Sequence, residues 1–413
     1  MTESFFTTQR YRLMAITILV IGALWIGASA APPGETTKEK ISAPRTGFTA
    51  PDFTLSTPDG EVFTLSKLRG RTVIVNLWAS WCGPCRAEMP ALQRVHEAYK
   101  DAGLVILAVN ATNQDSKTAA LAFATEHGLT FPILLDLDGQ VSQQYELRAL
   151  PSTYFIRPNG IIEEVVTRLG PLALQTPGLI LLLGFWLGLN LAERHAPRFK
   201  IHPDQLYNLA FLALITGVLG ARLTFAARFP SAFVASPASL ISLNPGLFDV
   251  LGGVATSLVA ALIYGQRKKI AFWPALDSFT PLFSVMAVAI GLANLASGNG
   301  FGAETSLPWA IELWGTKRHP TQIYETFAAL GILTLLWPGR GLLARRATNP
   351  GSFFLLFLTL SAFSRLFLEA YREDSATLPN GWRVAQILAW TVLAGGLWGL
   401  ERISKSAIYQ NNN

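Results

Sequence analysis

The only two cysteines among 413 residues stand three apart, in the segment Trp81-Cys82-Gly83-Pro84-Cys85. Thiols so spaced open and close a disulfide: one exposed, acidified sulfur attacks, and a shielded partner resolves the mixed disulfide. Zinc binding would need more ligands, yet no second cysteine pair exists and the five histidines are scattered. A purely structural role is a poor use of the pair, because so short a loop gains little chain-entropy stabilisation.

The flanking pattern gives the pair its setting. Residues 72–78 are apolar and β-branched, as in a buried strand, and a helical run follows from Pro84 to Tyr99. Cys82 then sits near a helix N-terminus, where orphan N–H groups and the macrodipole favour a thiolate. Cys85, one turn in, can reach back. Strand and helix go on alternating: strand 104–110, helix 116–127, strand 131–136 and a short helix over 140–147. Strands 152–156 and 161–167 follow, joined as a hairpin by Pro158-Asn159-Gly160.

Residues 50–167 resemble thioredoxin and, within that superfamily, the membrane-tethered ResA/TlpA type. The resemblance is carried by Ala50-Pro51-Asp52-Phe53-Thr54-Leu55, by the dithiol segment, and by Glu88-Met89-Pro90. It implies that Cys82 is the nucleophile, Cys85 the resolving thiol and Pro151 a cis-proline beside them. Glu88 matches the acidic residue that this type places near the pair, where it would handle protons. Asn76 stands where many thioredoxins bury an aspartate; an amide cannot take the resolving thiol's proton, so Glu88 or water must.

Half of the chain is hydrophobic and only 15% charged, with a mean hydropathy of +0.34, a balance expected of a membrane protein. Met14–Ala31 is an apolar run behind Arg10 and Arg12: a signal-anchor helix, or a signal peptide cleaved at Ala28-Ser29-Ala30. Residues 32–49 are a polar linker containing prolines. Seven apolar runs follow, at 176–193, 206–226, 247–265, 274–296, 320–337, 351–370 and 383–400. Arg194, Arg198, Lys200, Arg267, Lys268, Lys269, Arg340, Arg345, Arg346, Arg402 and Lys405 all fall on one side of these spans. By the positive-inside rule that side and the C-terminus are cytoplasmic, and residue 170 is outside. The anchor independently puts the dithiol domain outside. The net charge of +6 is thus loop charge and calls for no nucleic acid. The expected organisation is an N-terminal helix (1–31), a linker (32–49), an α/β thioredoxin-like domain (50–168), an all-α polytopic membrane domain of about seven helices (169–403) and a tail (404–413). Strand 161–167 runs almost directly into the first span, so the membrane segment replaces a closing helix or that helix is missing.

Arg318-His319-Pro320-Thr321-Gln322-Ile323-Tyr324-Glu325 resembles a block of prolipoprotein diacylglyceryl transferase, an enzyme that moves diacylglycerol from phosphatidylglycerol to a lipoprotein-signal cysteine. Leu169-Gly170-Pro171-Leu172, Gly220-Ala221-Arg222, Asp249 to Gly253, Asn294 to Gly302 and Gln386-Ile387-Leu388 follow in the family's order. The resemblance implies the family's seven spans over 169–403, functional positions at Asn294 and Gly302, and a charged pair at Arg365 and Glu369. Four positions depart from it: Pro177 for a tyrosine, Leu251 for a histidine, Gly291 for an arginine and Asn299 for a glutamate. The transfer needs a base for the thiol proton and cations for the phosphate, which leucine and glycine cannot supply.

Arg365, Glu369 and Arg372 recur at i, i+4 and i+7, as one face of one helix. Charges at membrane depth must pair or line a wet cavity. Joined by Arg222, they are either a headgroup pocket with arginine forks on a phosphate or a network that ties helices together. His319 and Glu325 read as fold-keeping contacts. Gly298 to Gly302 is spaced like a phosphate loop but follows no strand.

The expected function is extracytoplasmic thiol–disulfide exchange, most simply reduction, by the Cys82–Cys85 couple with no other cofactor. Protein disulfides are the expected clients. The membrane domain holds no cysteine, so a separate membrane dithiol donor must supply electrons. The competing reading is an active transferase, taking phosphatidylglycerol and a prolipoprotein, whose thioredoxin-like domain keeps the acceptor cysteine reduced. A third leaves the membrane part as an anchor only.

Overall fold

The computed structural model describes residues 8–31, 41–167, 176–228, 230, 248–313, 315–338, 340–345, 347 and 349–411. The joint between strand and first span, with Leu169-Gly170-Pro171-Leu172, lies outside them, as do Arg346 and residues 32–40 of the linker. The chain folds as two compact units, one built on a sheet and one on helices.

In the sheet unit, β1 (Thr54–Ser56) and β2 (Val62–Thr64) form a small hairpin ahead of a five-stranded sheet. That sheet is ordered β5 (Ile133–Leu135), β4 (Val105–Asn110), β3 (Val73–Trp78), β6 (Ser152–Ile156), β7 (Ile162–Thr167). β3, β4 and β5 are parallel, which demands crossovers; α2 (Gly83–Tyr99) and α3 (Lys117–Glu126) supply them. β6 and β7 return antiparallel through the turn at 158–160, where Gly160 adopts φ +82°. The short α4 (Gln140–Gln144) is fixed by buried Asp136, whose carboxylate accepts from Val141 N, Ser142 N and Ser142 Oγ. Both faces of β3 and β4 are covered, so every residue of these strands is buried. The even residues meet α2 and α3 through Trp78, Met89 and Phe123. The odd ones pack with Phe53, Tyr145 and Tyr154.

The linker expectation needs one correction. Residues 41–49 belong to this unit: Ala43 and Phe48 are buried, Thr49 bridges to Ile161, and Ile162 N donates to Phe48 O. The polar composition hid a strip that caps the β7 edge, where unpaired backbone groups would otherwise remain.

The helical unit holds α1 (Thr8–Ala28), α5 (Thr176–His195), α6 (Pro203–Arg228), α7 (Val250–Arg267), α8 (Phe272–Ser297), α9 (Thr321–Leu335), α10 (Ser352–Leu368) and α11 (Val384–Asn411). Each of the seven apolar runs is a helix. Six of them, and α1, are long and apolar enough to cross a bilayer. α9, at 15 residues, falls short of a full span. The chain is a multi-pass membrane protein. Before α9 comes a two-stranded hairpin, β8 (Ile311–Leu313) and β9 (Thr316–Arg318), that apolar periodicity gave no reason to expect.

α1 is part of the bundle. Trp390 Nε1 donates to Leu19 O at 2.9 Å, Tyr11 Oη to Leu397 O at 2.8 Å, and Ala31 N to Gly381 O at 2.8 Å. Gly22 faces Leu366 and Trp390, the approach that a side chain there would block. Buried Ile26 packs with Ala362, Leu366, Ala389 and Leu393.

Candidate functional site

β3 ends at Trp78, and a three-residue turn delivers Cys82 to the N-cap of α2 with φ −77°, ψ 106°. Pro84 occupies the helix's first turn, where its missing N–H costs nothing. Cys82 and Cys85 are joined as a disulfide, and Cys85 N donates to Cys82 Sγ at 3.2 Å. An exposed attacking sulfur was expected; in the disulfide form Cys82 is only 4% exposed and Cys85 fully buried. The reason is the closed ring, which folds both sulfurs onto the first helical turn. Access is by a groove of about 290 Å³ beside Cys82, walled by Trp81, Pro84, Gln114, Arg148 and Leu150. Trp81 is 61% exposed and tethered by its Nε1 to Gln114 O at 3.0 Å. Pro151 follows a cis peptide bond at the start of β6.

Beneath the dithiol lies a polar trio. Asn76, wholly buried on β3, donates from Nδ2 to Glu88 Oε1 at 2.7 Å and to Thr153 Oγ1 at 2.9 Å. Asn76 and Thr153 face each other across the β3–β6 pairing, and Glu88 lies one helical turn beyond Cys85. Asn76 thus fixes the orientation of the Glu88 carboxylate. Thr153 escaped the sequence reading; the register across from Asn76, two residues after Pro151, was the signal for it.

A second buttress, also missed, is Asp115. Its carboxylate accepts from Ser80 N and Ser80 Oγ, each at 2.6 Å, from Asn110 Nδ2 at 2.8 Å and from Ser116 N at 2.8 Å. Burial by itself raises this carboxyl's pKa, but the Ser80, Asn110 and Ser116 hydrogen bonds outweigh it and hold the group below its ordinary value. A depressed folded pKa means stability that is complete above the unfolded value and lost as pH falls through the folded one. The Ser80 anchor should therefore hold at neutral pH and loosen only below about pH 4. Asp115→Ala should cost about 1–3 kcal/mol locally, because charged hydrogen bonds are removed. Amide exchange at Ser80 in the full chain checks this; an unchanged rate at pH 7 would contradict it.

In the helical unit Arg365, Glu369 and Arg372 converge, with one correction to the backbone that carries them. Helix α10 ends at Leu368, Glu369–Tyr371 tighten into a 3-10 turn, and Arg372 is extended. Arg372 is therefore not on the helix face, and at 11% side-chain exposure it is not solvated either. The hub is Glu325 on α9. Its Oε1 accepts from Arg365 Nη1 at 2.8 Å and Arg372 Nη1 at 3.0 Å. Arg365 also meets Glu369 at 2.7 Å, and Arg372 meets Asp374 at 2.8 Å. This ion-paired set thus contains three carboxylates and two guanidiniums.

The glycine segment after α8 closes over the same cluster. Gly300 N donates to Asp374 Oδ2 at 3.0 Å, Thr321 Oγ1 to Gly300 O at 2.5 Å, and Gln322 Nε2 to Asn299 O at 2.9 Å. Gly302 pairs with Arg372 through the backbone, and a Cβ there would collide with His319 O. His319 Nδ1 lies 3.4 Å from Tyr324 Oη, which accepts from Trp309 Nε1 at 2.8 Å. Asn294 is half-buried in the last turn of α8. Arg222 is buried on α6 with its guanidinium 5.1 Å from the Phe248 ring.

The departing positions have their own geometry. Leu251 is 82% exposed in the first turn of α7. Gly291 lies where α8 crosses α9, and even a Cβ would strike Thr326 Oγ1. α8 and α9 are packed too closely there to admit a side chain.

A parallel–antiparallel sheet with a dithiol at a helix N-cap, followed by this helical bundle, defines a membrane-bound oxidoreductase fused to a lipid-enzyme fold. Family models agree: prolipoprotein diacylglyceryl transferase matches residues 164–401, and the AhpC/TSA family matches residues 46–165. A ResA thiol-disulfide oxidoreductase of Oceanobacillus iheyensis is 43% identical over 126 residues, 30% of this chain and 65% of that protein. ResA of Geobacillus kaustophilus is 36% identical over 159 residues, 38% of this chain and 88% of that one. Phosphatidylglycerol–prolipoprotein diacylglyceryl transferase of Nostoc sp. is 28% identical over 266 residues, 61% of this chain and 92% of that one. The chain belongs to the prolipoprotein diacylglyceryl transferase family through its helical unit and to the ResA-type thiol-disulfide oxidoreductases through its sheet unit.

Proposed function

We propose that this protein reduces protein disulfides on the outer side of the membrane, and that its transferase-like unit no longer transfers diacylglycerol. The single observation carrying the first half is the chain's one cysteine pair, set at the α2 N-cap and opening on a groove. In the reduced form the α2 terminus favours a Cys82 thiolate. That thiolate attacks a client disulfide, forming a mixed disulfide and expelling one client thiolate. Cys85 then gives up its proton, to Glu88 directly or through water, and attacks Cys82 Sγ. The second client sulfur leaves as a thiol on the proton Cys85 gave up, and the first client thiolate takes from solvent the proton Cys82 lost on ionising. The client has gained two electrons and two protons while Cys82–Cys85 is left oxidised. The helical unit contains no sulfur nucleophile, so a separate membrane dithiol must re-reduce the pair.

The second half is supported by what fills the transferase positions. Leu251 and Gly291 bring neither base nor cation, and Arg365 and Arg372 are already paired with Glu325, Glu369 and Asp374. A phosphate would have to displace carboxylates. The cluster is best read as a scaffold binding α9 to α10, with the glycine segment clamped on top.

The test uses the full chain in phosphatidylglycerol-containing vesicles. Pre-reduced protein should reduce a model protein disulfide stoichiometrically and stop after one turnover without a donor. Radiolabelled diacylglycerol should not pass to a lipobox peptide whose cysteine is kept reduced by a chemical reductant. Transfer at a rate comparable to an intact family member would overturn the second half and leave the first standing.

A further inference from the structure

We infer that the crevice between α1 and α11 is a binding site for one anionic phospholipid, separate from the charged cluster around Glu325. The crevice measures about 1270 Å³. Its apolar walls come from Ala15, Ile16 and Leu19 on α1 and from Ala394 and Gly395 on α11, with Trp273 and Leu355 also lining it. Both flanking helices are long and apolar enough to cross a bilayer, so the space is bathed by lipid. Small residues on α11 create it: a Cβ at Gly395 would meet no atom within 4 Å.

Charge selects the occupant. Among the described residues the polar end is lined by Arg12, Arg402, Lys405 and a single carboxylate, Glu401. Glu401 Oε1 is shared by Arg12 Nε at 2.7 Å and Lys405 Nζ at 2.6 Å. The Arg402 guanidinium lies 5.1 Å from the Trp398 ring, which is itself 61% exposed. Three cations against one carboxylate, with a tryptophan beside them, match an anionic headgroup at the membrane interface. An acyl chain then fills the slot along Gly395, where a void would cost packing. A zwitterionic lipid would fill the same slot but leave the surplus positive charge unmatched. Without α1 the crevice would lose one wall and Arg12, so the site is a product of this chain's N-terminal helix.

The experiment uses the full chain, its retained N-terminus verified by intact mass, delipidated in detergent and exposed to phosphatidylglycerol or phosphatidylcholine at equal concentration. Native mass spectrometry should find one phosphatidylglycerol retained, with roughly tenfold preference over phosphatidylcholine, about one decade of binding constant. Arg402→Ala with Lys405→Ala should abolish the preference. Gly395→Leu, which grows into empty space and should leave the elution profile unchanged, should expel the lipid. Equal retention of both lipids overturns the proposal, as does phosphatidylglycerol that stays bound in Gly395→Leu. So does displacement of the lipid by inorganic phosphate alone, or a dimer whose second copy covers the crevice.

Discussion

Cys82→Ser should abolish disulfide reduction, by on the order of 1,000-fold or more, which corresponds to roughly 4 kcal/mol of lost transition-state stabilisation. The one thiol left, Cys85, is fully buried and poorly placed to take over the attack. The hydroxyl is neither acidified by the α2 N-terminus to a useful degree nor able to form the mixed disulfide. Cys85→Ser should behave differently. Cys82 can still attack, but nothing resolves the adduct, so the client should accumulate as a covalent complex that dithiothreitol releases. A rate retained in Cys82→Ser, or a trapped adduct on residue 85 instead of 82, would reverse the assigned order. Glu88→Gln supplies a control between these extremes. It keeps an acceptor for Asn76 and removes the titrating group, so a slower resolving step with unchanged adduct formation is expected.

Glu325→Ala should destabilise the helical unit by about 3 kcal/mol, as breaking a buried ion pair does when one partner is left behind. The figure sits at the low end of that range because Arg372 keeps Asp374, and Arg365 is 38% exposed and partly screened. Glu325→Gln, which retains the shape and one acceptor oxygen, should cost less. Thermal unfolding of the full chain in detergent, followed by size-exclusion retention, measures both. The direction discriminates between two uses of the same residues. If Arg365 and Arg372 gripped a lipid phosphate, removing Glu325 would free their forks and tighten phosphatidylglycerol binding with little loss of stability. If they tie α9 to α10, stability falls and binding does not rise.

Much of the sheet unit was legible because its physics is local. The apolar run ending at Trp78, the turn with two cysteines and the helix after it are set by residue type and by spacing of a few positions. Observed β3, α2, β4, α3 and β6 each fall within two residues of expectation. The seven apolar runs were legible for the same reason, since a bilayer demands continuous hydrophobic length. Strip 41–49 was not, because it is held by pairing with Ile161 and Ile162, far along the chain; hairpin β8–β9 was not, because strands of three residues are too short to show a period.

Sequence by itself determined that this protein carries one dithiol and no other sulfur chemistry, and that it threads a membrane many times. Only the tertiary structure decided what the surviving charges do. Helical spacing put Arg365, Glu369 and Arg372 on one face, but the helix stops at Leu368 and Arg372 returns through an extended backbone. Glu325, 40 residues before Arg365, then closes the network. Periodicity reports which side of an element is apolar; it says nothing about which distant carboxylate a guanidinium will meet. The same holds for Asn76, Glu88 and Thr153, which strand register and one helical turn bring together from three separate segments.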